Sequence, residues 1–387
     1  MLEQIILESK KTIDFNNQQY KDTYLSVEED FDSNLGENES KRDFQVRTVA
    51  KTIHYLNNDY KRILIEKPTG AGKTIISRSL FSSRKMREAL NIEGDRPLRL
   101  LFIANKQRLL KQAIRTYDVA NNIEIITIST CLKNFPQELI DNGWDITCLD
   151  EAHHESMTSF QLYLESINNA PLIGLTATPH RPDNCILKFE AIVNEISRSE
   201  AVEAGYLSET DILSIIHTGG KNKVPLMQRA FSLLYEEIGN AIITFATKKE
   251  VREFQEWLVN NGFESSIAIL DQDEDTLNEI LDDFSEGKIQ ILVNCNRINE
   301  GIDVKGCDTI ITAKDYSSNV QLNQIIGRGA RPDSSCKVIE IVNPLKQTLT
   351  AIDIVEKART HRMVSFRKGK MFIHDFKTKQ LLEESSF

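Results

Sequence analysis

Short apolar runs rich in Ile, Leu and Val recur along the chain. They fall at 63–65, 100–104, 123–128, 146–149 and 172–175, and again at 241–245, 266–270, 289–293, 309–312 and 337–342. Such runs suit strands buried on both faces of a parallel sheet. Most are separated by stretches whose apolar residues return every three or four positions, as at Lys248–Asn260 and 275–284, which predicts amphipathic helices. Alternating strand and helix signals imply a parallel sheet covered by helices. The alternation runs through the chain twice, with a junction near 200–223, where Gly219-Gly220 marks a turn. The expected fold class is α/β, with two successive, mainly parallel sheets flanked by helices.

The polar positions set the expected divisions. Residues 28–40 (EEDFDSNLGENES) read as an exposed loop or linker. An acidic segment at 1–40 is expected to precede a first domain at 41–205. A second domain follows at 206–355, and a basic segment at 356–387.

Composition narrows the class. The 387 residues are 40% hydrophobic and 27% charged, as in ordinary globular chains, which excludes fibrous and wholly disordered classes. No apolar run approaches the roughly 18 residues of a membrane helix. The opening Met1-Leu2-Glu3-Gln4 lacks the basic start of a secretory signal, so a cytoplasmic protein is expected, acting in the host cytoplasm if phage-encoded. The six cysteines form no Cys-x-x-Cys and read as reduced, not as a zinc site.

The net charge is −10, but it is unevenly spread: residues 1–40 hold ten acids against three lysines. Between 357 and 379 eight cations face only Asp375, with Phe366, Phe372 and Phe376 among them. That strip could touch phosphates and stack on bases, or it could be a solvated terminal element whose aromatics pack on the core.

Two motifs carry chemistry. Lys67-Pro68-Thr69-Gly70-Ala71-Gly72-Lys73-Thr74 follows the apolar run at 63–65 and opens a helical pattern. A Gly-rich turn there lets backbone N–H groups and a helix N-terminus close around phosphate oxygens. Lys73 would reach the β- and γ-phosphates and the Thr74 hydroxyl would ligate Mg²⁺. The strict pattern has glycine where this chain has Lys67. Asp150-Glu151-Ala152-His153 follows the run at 146–149 directly. A carboxylate at the carboxyl end of a parallel strand faces the ligand crevice. Asp150 suits Mg²⁺, and Glu151 suits the orientation and deprotonation of a water.

Together these motifs resemble the DEAH-type motor core of superfamily 2 helicases and translocases. Further motifs resemble that family in the expected order over about 41–345. The resemblance implies two tandem RecA-like P-loop domains, ATP and Mg²⁺ as cofactors, and a nucleic-acid-dependent ATPase. It implies Gln45 as the adenine reader and Lys106, Arg108, Ser129, Thr130 and Phe245 as strand contacts. Gly301 and Asp303 would touch nucleotide, and Gln324, Arg328 and Arg331 would close the set. Arg328 and Arg331, three residues apart on a helical stretch, would share a face and stabilise charge on the transferred phosphoryl group. ATP would then bridge the halves, its hydrolysis alternating strand affinity.

The stretch 172–183 (LIGLTATPHRPD) looks more like DNA-acting members, among them repair and branch-migration helicases, phage enzymes and restriction motors. A DNA helicase or translocase acting on duplex or branched DNA is therefore expected. The alternatives are an RNA helicase, an annealing protein using ATP as a switch, and a motor subunit serving a protein partner. A monomer is expected, since one chain holds both sets of residues.

Overall fold

The computed structural model describes residues 14–33, 35, 40–104, 107–117, 122–129, 143–152, 170–177, 189–219, 222–263, 266–295, 298, 304–330, 335–346, 348–355 and 357–386. The chain divides into two units, Met1–Ser197 and Arg198–Phe387.

The first unit begins with helix α1 (Gln18–Ser33). Thr23, Val27 and Phe31 recur every fourth residue and form its buried stripe. Residues 28–33, expected as loop, are thus helical, and Phe31 is wholly buried. Asp30 fastens this helix by accepting from the Arg84 backbone N–H at 3.0 Å and its Nε at 2.7 Å. Helix α2 (Asp43–Asn57) packs on α1 and leads into β1 (Arg62–Glu66). There follow α3 (Lys73–Ser82), α4 (Arg84–Ala89), β2 (Leu98–Ala104), α5 (Gln107–Tyr117), β3 (Ile123–Ser129), β4 (Ile146–Asp150), β5 (Leu172–Thr176) and β6 (Ala191–Val193). The six strands pair in parallel in the order β3-β2-β4-β5-β1-β6. All but the three-residue β6 coincide with the apolar runs.

The second unit runs α6 (Arg198–Glu203), β7 (Thr210–Ile216), α7 (Val224–Leu234), β8 (Ala241–Thr244), α8 (Lys248–Asn260), β9 (Ser266–Ile269), α9 (Glu274–Ser285), β10 (Ile291–Asn294), β11 (Thr309–Thr312), α10 (Asn319–Gly329), β12 (Cys336–Val342), α11 (Ala351–Val355), β13 (Thr360–Arg367), β14 (Lys370–Asp375) and β15 (Leu381–Ser386). The sheet order is β15-β14-β13-β7-β12-β11-β8-β10-β9. Pairing is parallel from β9 to β13 and antiparallel for β14 and β15. Residues 360–386, expected as a separate basic segment, extend this sheet.

Alternate residues of each strand feed opposite cores. Ile243, Val293 and Ile341 join α7 and α8 on one face, and Ile242, Leu292 and Val338 join α9 and α10 on the other. Helix α8 starts as its sequence demands: the Thr247 hydroxyl accepts from the Glu250 N–H at 3.2 Å, and the Glu250 carboxylate accepts from the Thr247 N–H at 3.0 Å. Among the described residues no helix is long and apolar enough to cross a membrane. Cys148, Cys295, Cys307 and Cys336 are free.

Candidate nucleotide site

Strands β4, β5 and β1 lie side by side, so their carboxyl ends form one rim. The Lys67 N–H donates to the Thr176 carbonyl at 3.0 Å, which carries the β1–β5 ladder one residue past β1. The chain then turns through Pro68–Gly72 and enters α3 at Lys73. Gly70 and Gly72 have φ of 87° and 83°, the left-handed region in which a side chain is strained. These two glycines let the turn close at the N-terminus of α3, where unpaired N–H groups and the helix dipole favour an anion. The Thr69 hydroxyl is buried without a hydrogen-bond partner among the described residues. A buried orphan hydroxyl carries a desolvation cost that a bound polar group would relieve.

Gln45 reaches this loop from α2. Its Nε2 donates to the Ala71 carbonyl at 3.4 Å, and its Oε1 accepts from the Arg42 N–H at 3.2 Å. The side chain is fully buried, so its amide is engaged by the loop and by the start of its own helix.

Asp150 ends β4 on the same rim. Its Oδ1 accepts from the Glu151 N–H at 2.9 Å. Burial, followed by the neighbouring Glu151 charge, pushes the Asp150 carboxyl above the usual carboxylate range, while Lys73 pulls it back down. Glu151 has a φ of 50°. A non-glycine residue in that region stores strain of the kind that clusters at functional sites. Thr74 is an exposed residue at the first turn of α3. Thr74 and Asp150 together offer two hard oxygen donors. That set fits Mg²⁺, which keeps waters and takes its remaining oxygens from substrate phosphates. Among the described residues no group of three or more His, Cys, Asp or Glu could form a metal cage.

Lys67, which departs from the strict phosphate-loop pattern, is wholly buried beneath the loop. Its Nζ lies 3.5 Å from the Val193 carbonyl, and burial pushes its pKa down to about 8 against the pull of Glu195 and Glu66. The surrounding charges are matched: Glu195 takes Lys51 at 2.6 Å and Arg47 at 3.1 Å. This buried cation is a feature that the sequence motif signals only by mismatch.

In the second unit Gln324 and Arg328 stand four residues apart on α10 and so share a face. Both polar atoms of the buried Gln324 amide lack a hydrogen-bond partner among the described residues. Phe245 is a correction. Its ring has no exposure and packs 5.2 Å from the Phe254 ring in the α7–α8 core, so no base can stack on it. Ser129 is buried at the end of β3. Lys106, Thr130, His153, Gly301, Asp303 and Arg331 lie outside the described residues, as does the side chain of Arg108.

Comparison with known proteins agrees with this layout. Residues 38–124 and 118–181 match the family described as type III restriction enzyme, res subunit. Residues 223–333 match the helicase conserved C-terminal domain. IRC3 of Saccharomyces cerevisiae, which carries the name of an ATP-dependent helicase, is 23% identical over 354 residues, 78% of this chain and 51% of that protein. The chain thus spans about half the length of that relative. The DNA 3′-5′ translocase XPB2 of Sulfurisphaera tokodaii is 23% identical over 364 residues, 78% of this chain and 81% of XPB2. Among solved structures, a fragment assigned to the HsdR subunit of a type I restriction enzyme from Vibrio vulnificus superposes with a TM-score of 0.67 at 17% identity. That match covers 90% of this chain and 72% of the fragment, and it shows the shared fold of two RecA-like domains.

Proposed function

The chain belongs to superfamily 2 of helicases and translocases, and from that premise we propose that it is a DNA-dependent ATPase that moves along or remodels DNA. The observation that supports this most is the convergence on one strand rim of the Gly70–Gly72 turn, Lys73, Asp150 and the strained Glu151. In this reading the loop amides and Lys73 cradle the phosphates of ATP, and Thr74 and Asp150 hold Mg²⁺. The bound ion neutralises phosphate charge. Glu151 orients and deprotonates the attacking water. Gln45 exchanges its bond to the Ala71 carbonyl for the adenine edge. Gln324, Arg328 and Arg331 stabilise charge on the transferred phosphoryl group, an effect that can reach roughly 10³–10⁵ in rate. Gly301 and Asp303 contribute to nucleotide contact, and Lys106, Arg108, Ser129 and Thr130 to the strand.

Duplex or branched DNA, such as forks and junctions, is the substrate class. The name of XPB2, a DNA translocase, favours DNA over RNA. A monomer suffices, because one chain supplies both sets of residues. The test is steady-state ATP turnover alone and with single-stranded DNA, duplex DNA, a four-way junction and RNA. Stimulation by DNA, greatest with the junction, is expected. Stimulation by RNA alone would overturn the substrate, and none by any nucleic acid would overturn the motor reading.

A further inference from the structure

Strands β13, β14 and β15 form an antiparallel ladder at the edge of the second sheet. Successive side chains along such strands point to opposite faces. One face is committed to the core. Val364, Met371 and Ile373 are buried with α7, and Phe366 packs there with the Arg229 guanidinium 5.0 Å from its ring centre. The other face carries, in register, Arg367 beside Lys370, Ser365 beside Phe372, and Met363 beside His374. At the far end the His361 and Phe376 rings stack at 3.8 Å and 10°. Each of these eight residues keeps solvent exposure, and Phe376 is 37% exposed.

The unmatched cations fall at the two ends of this strip, and Glu384, which lies beside Phe372 in register, is taken up by Lys370. Four nearby cations are already matched: Lys357 with Glu203, Arg359 with Asp211, Arg362 with Glu237 and Lys370 with Glu384. Arg367, Lys368, Lys377 and Lys379 have no carboxylate partner among the described residues. Arg367 and Lys368 form the β13–β14 turn, where Lys368 and Gly369 take the positive φ that a tight hairpin requires. Lys377 and Lys379 form the β14–β15 turn, with the Lys379 ammonium 4.1 Å from the Phe376 ring centre. The length of β14 separates the two cationic turns, about 20 Å at roughly 3.4 Å per residue. On a chain of net charge −10, free cations gathered at both ends of an exposed aromatic strip select an anionic polymer with flat, unpaired bases.

We propose that this face binds single-stranded DNA. A base stacks on Phe372, and phosphates lie against the Arg367–Lys368 turn and against the Lys377–Lys379 turn, where His361 and Lys379 hold Phe376 between them. Stacking requires bases out of a duplex, so the strip engages a displaced strand. This rests on the functional reading above and deepens it by naming a strand-holding surface remote in sequence from the motor motifs.

The test is fluorescence anisotropy of a labelled oligo-dT titrated with the full chain over a range of KCl concentrations, with an oligo-U arm. Phe372→Ala should weaken binding roughly five- to hundredfold without changing the salt slope. Where that variant fails to fold, a charge variant keeps the test open: Arg367→Ala, Lys368→Asn, Lys377→Ala and Lys379→Asn together. The asparagines suit the positive φ at 368 and 379. This variant should lower the log–log salt slope by about 0.7 for each phosphate that is no longer neutralised. Turnover without DNA should stay at the wild-type value in both. Unchanged affinity and slope in a folded variant overturn the platform, and if DNA still stimulates turnover they leave the motor reading standing. Binding of oligo-U alone, or of neither strand by the wild type, overturns it as well.

Discussion

A Cβ placed on Gly72 would fall 2.5 Å from the side-chain amide nitrogen of Gln45. The phosphate loop and the start of α2 are therefore in van der Waals register through one missing methyl group. Gly72→Ala must displace the Gln45 amide and also carry a side chain at a φ of 83°. It should lower stability by about 1–2 kcal/mol and weaken ATP binding at least tenfold. Thermal unfolding and titration with a fluorescent ATP analogue read the two effects separately.

Lys73 and Glu151 should fail in different ways. Lys73→Ala removes the charge that neutralises phosphate, so both nucleotide affinity and turnover should be lost. Glu151→Gln keeps the side chain's shape and the backbone but removes the base. It should bind ATP like the wild type with turnover reduced at least a hundredfold. Filter binding of labelled ATP beside a phosphate-release assay makes the comparison, and near-normal release by Glu151→Gln would remove that residue from its assigned role.

Buried Lys67 makes stability depend on pH. Its pKa is pushed down to about 8 in the folded chain by burial, from 10.5 when unfolded. Between those values the unfolded chain binds more protons, so stability rises with pH across that window. Below pH 8 the cost of burying the ammonium is fully present, on the order of 3 kcal/mol. Lys67→Met fills the same space without a charge. It should raise the first unit's unfolding transition at pH 7, and the gap between variant and wild type should close as pH rises toward 10.5. Chemical denaturation across that range checks the sign, and a gap that widens would refute it.

Phe245 belongs to the core and not to the strand path. Phe245→Ala should cost about 3–5 kcal/mol through the cavity it leaves. Phe245→Leu should cost less and leave DNA affinity in the folded protein unchanged. Denaturation midpoints and anisotropy titrations at a temperature where both variants are folded decide the matter.

The elements that were readable in the sequence carry their own signal. β1, β2, β4, β5, β8 and β11 are apolar runs buried on both faces over most of their length. β3 and β12 show the same apolar run, although β3 is only partly buried and β12 holds the buried Glu340. β7 was hidden inside the expected junction because Asp211 and Ser214 interrupt it. Both are satisfied from far along the chain: Asp211 by Arg359 and Thr360, Ser214 by Glu340 and His361. Nothing local in Thr210–Ile216 announces those partners. The end of α1 was masked by acidic residues that hid the stripe of Thr23, Val27 and Phe31. In the site, the phosphate loop and Asp150-Glu151 were readable because each follows its strand at once. The direction of the Phe245 ring was not, since an aromatic at a strand end has the same letter whether it faces core or solvent. The burial of Lys67 was equally invisible, because only the fold closes β6 over it.

The place of β7 also sets a timetable for assembly. It is the first strand of its unit, yet both its neighbours are β12 and β13, which pair with it in parallel. β12 begins some 120 residues after β7 ends. At roughly 5–20 residues per second the ribosome releases that partner about 6–24 s later. During synthesis β7 waits with unpaired backbone edges and buried-type side chains such as Ile212 and Ile215 uncovered. Such a long-range closure is intrinsically slow and exposed to mispairing. β1 of the first unit waits in the same way, since its neighbours are β5 and β6 and β5 begins some 106 residues after β1 ends. Both halves of this protein are therefore expected to depend on chaperones, and synonymous changes of translation speed ahead of either closing strand should affect the yield of folded chain.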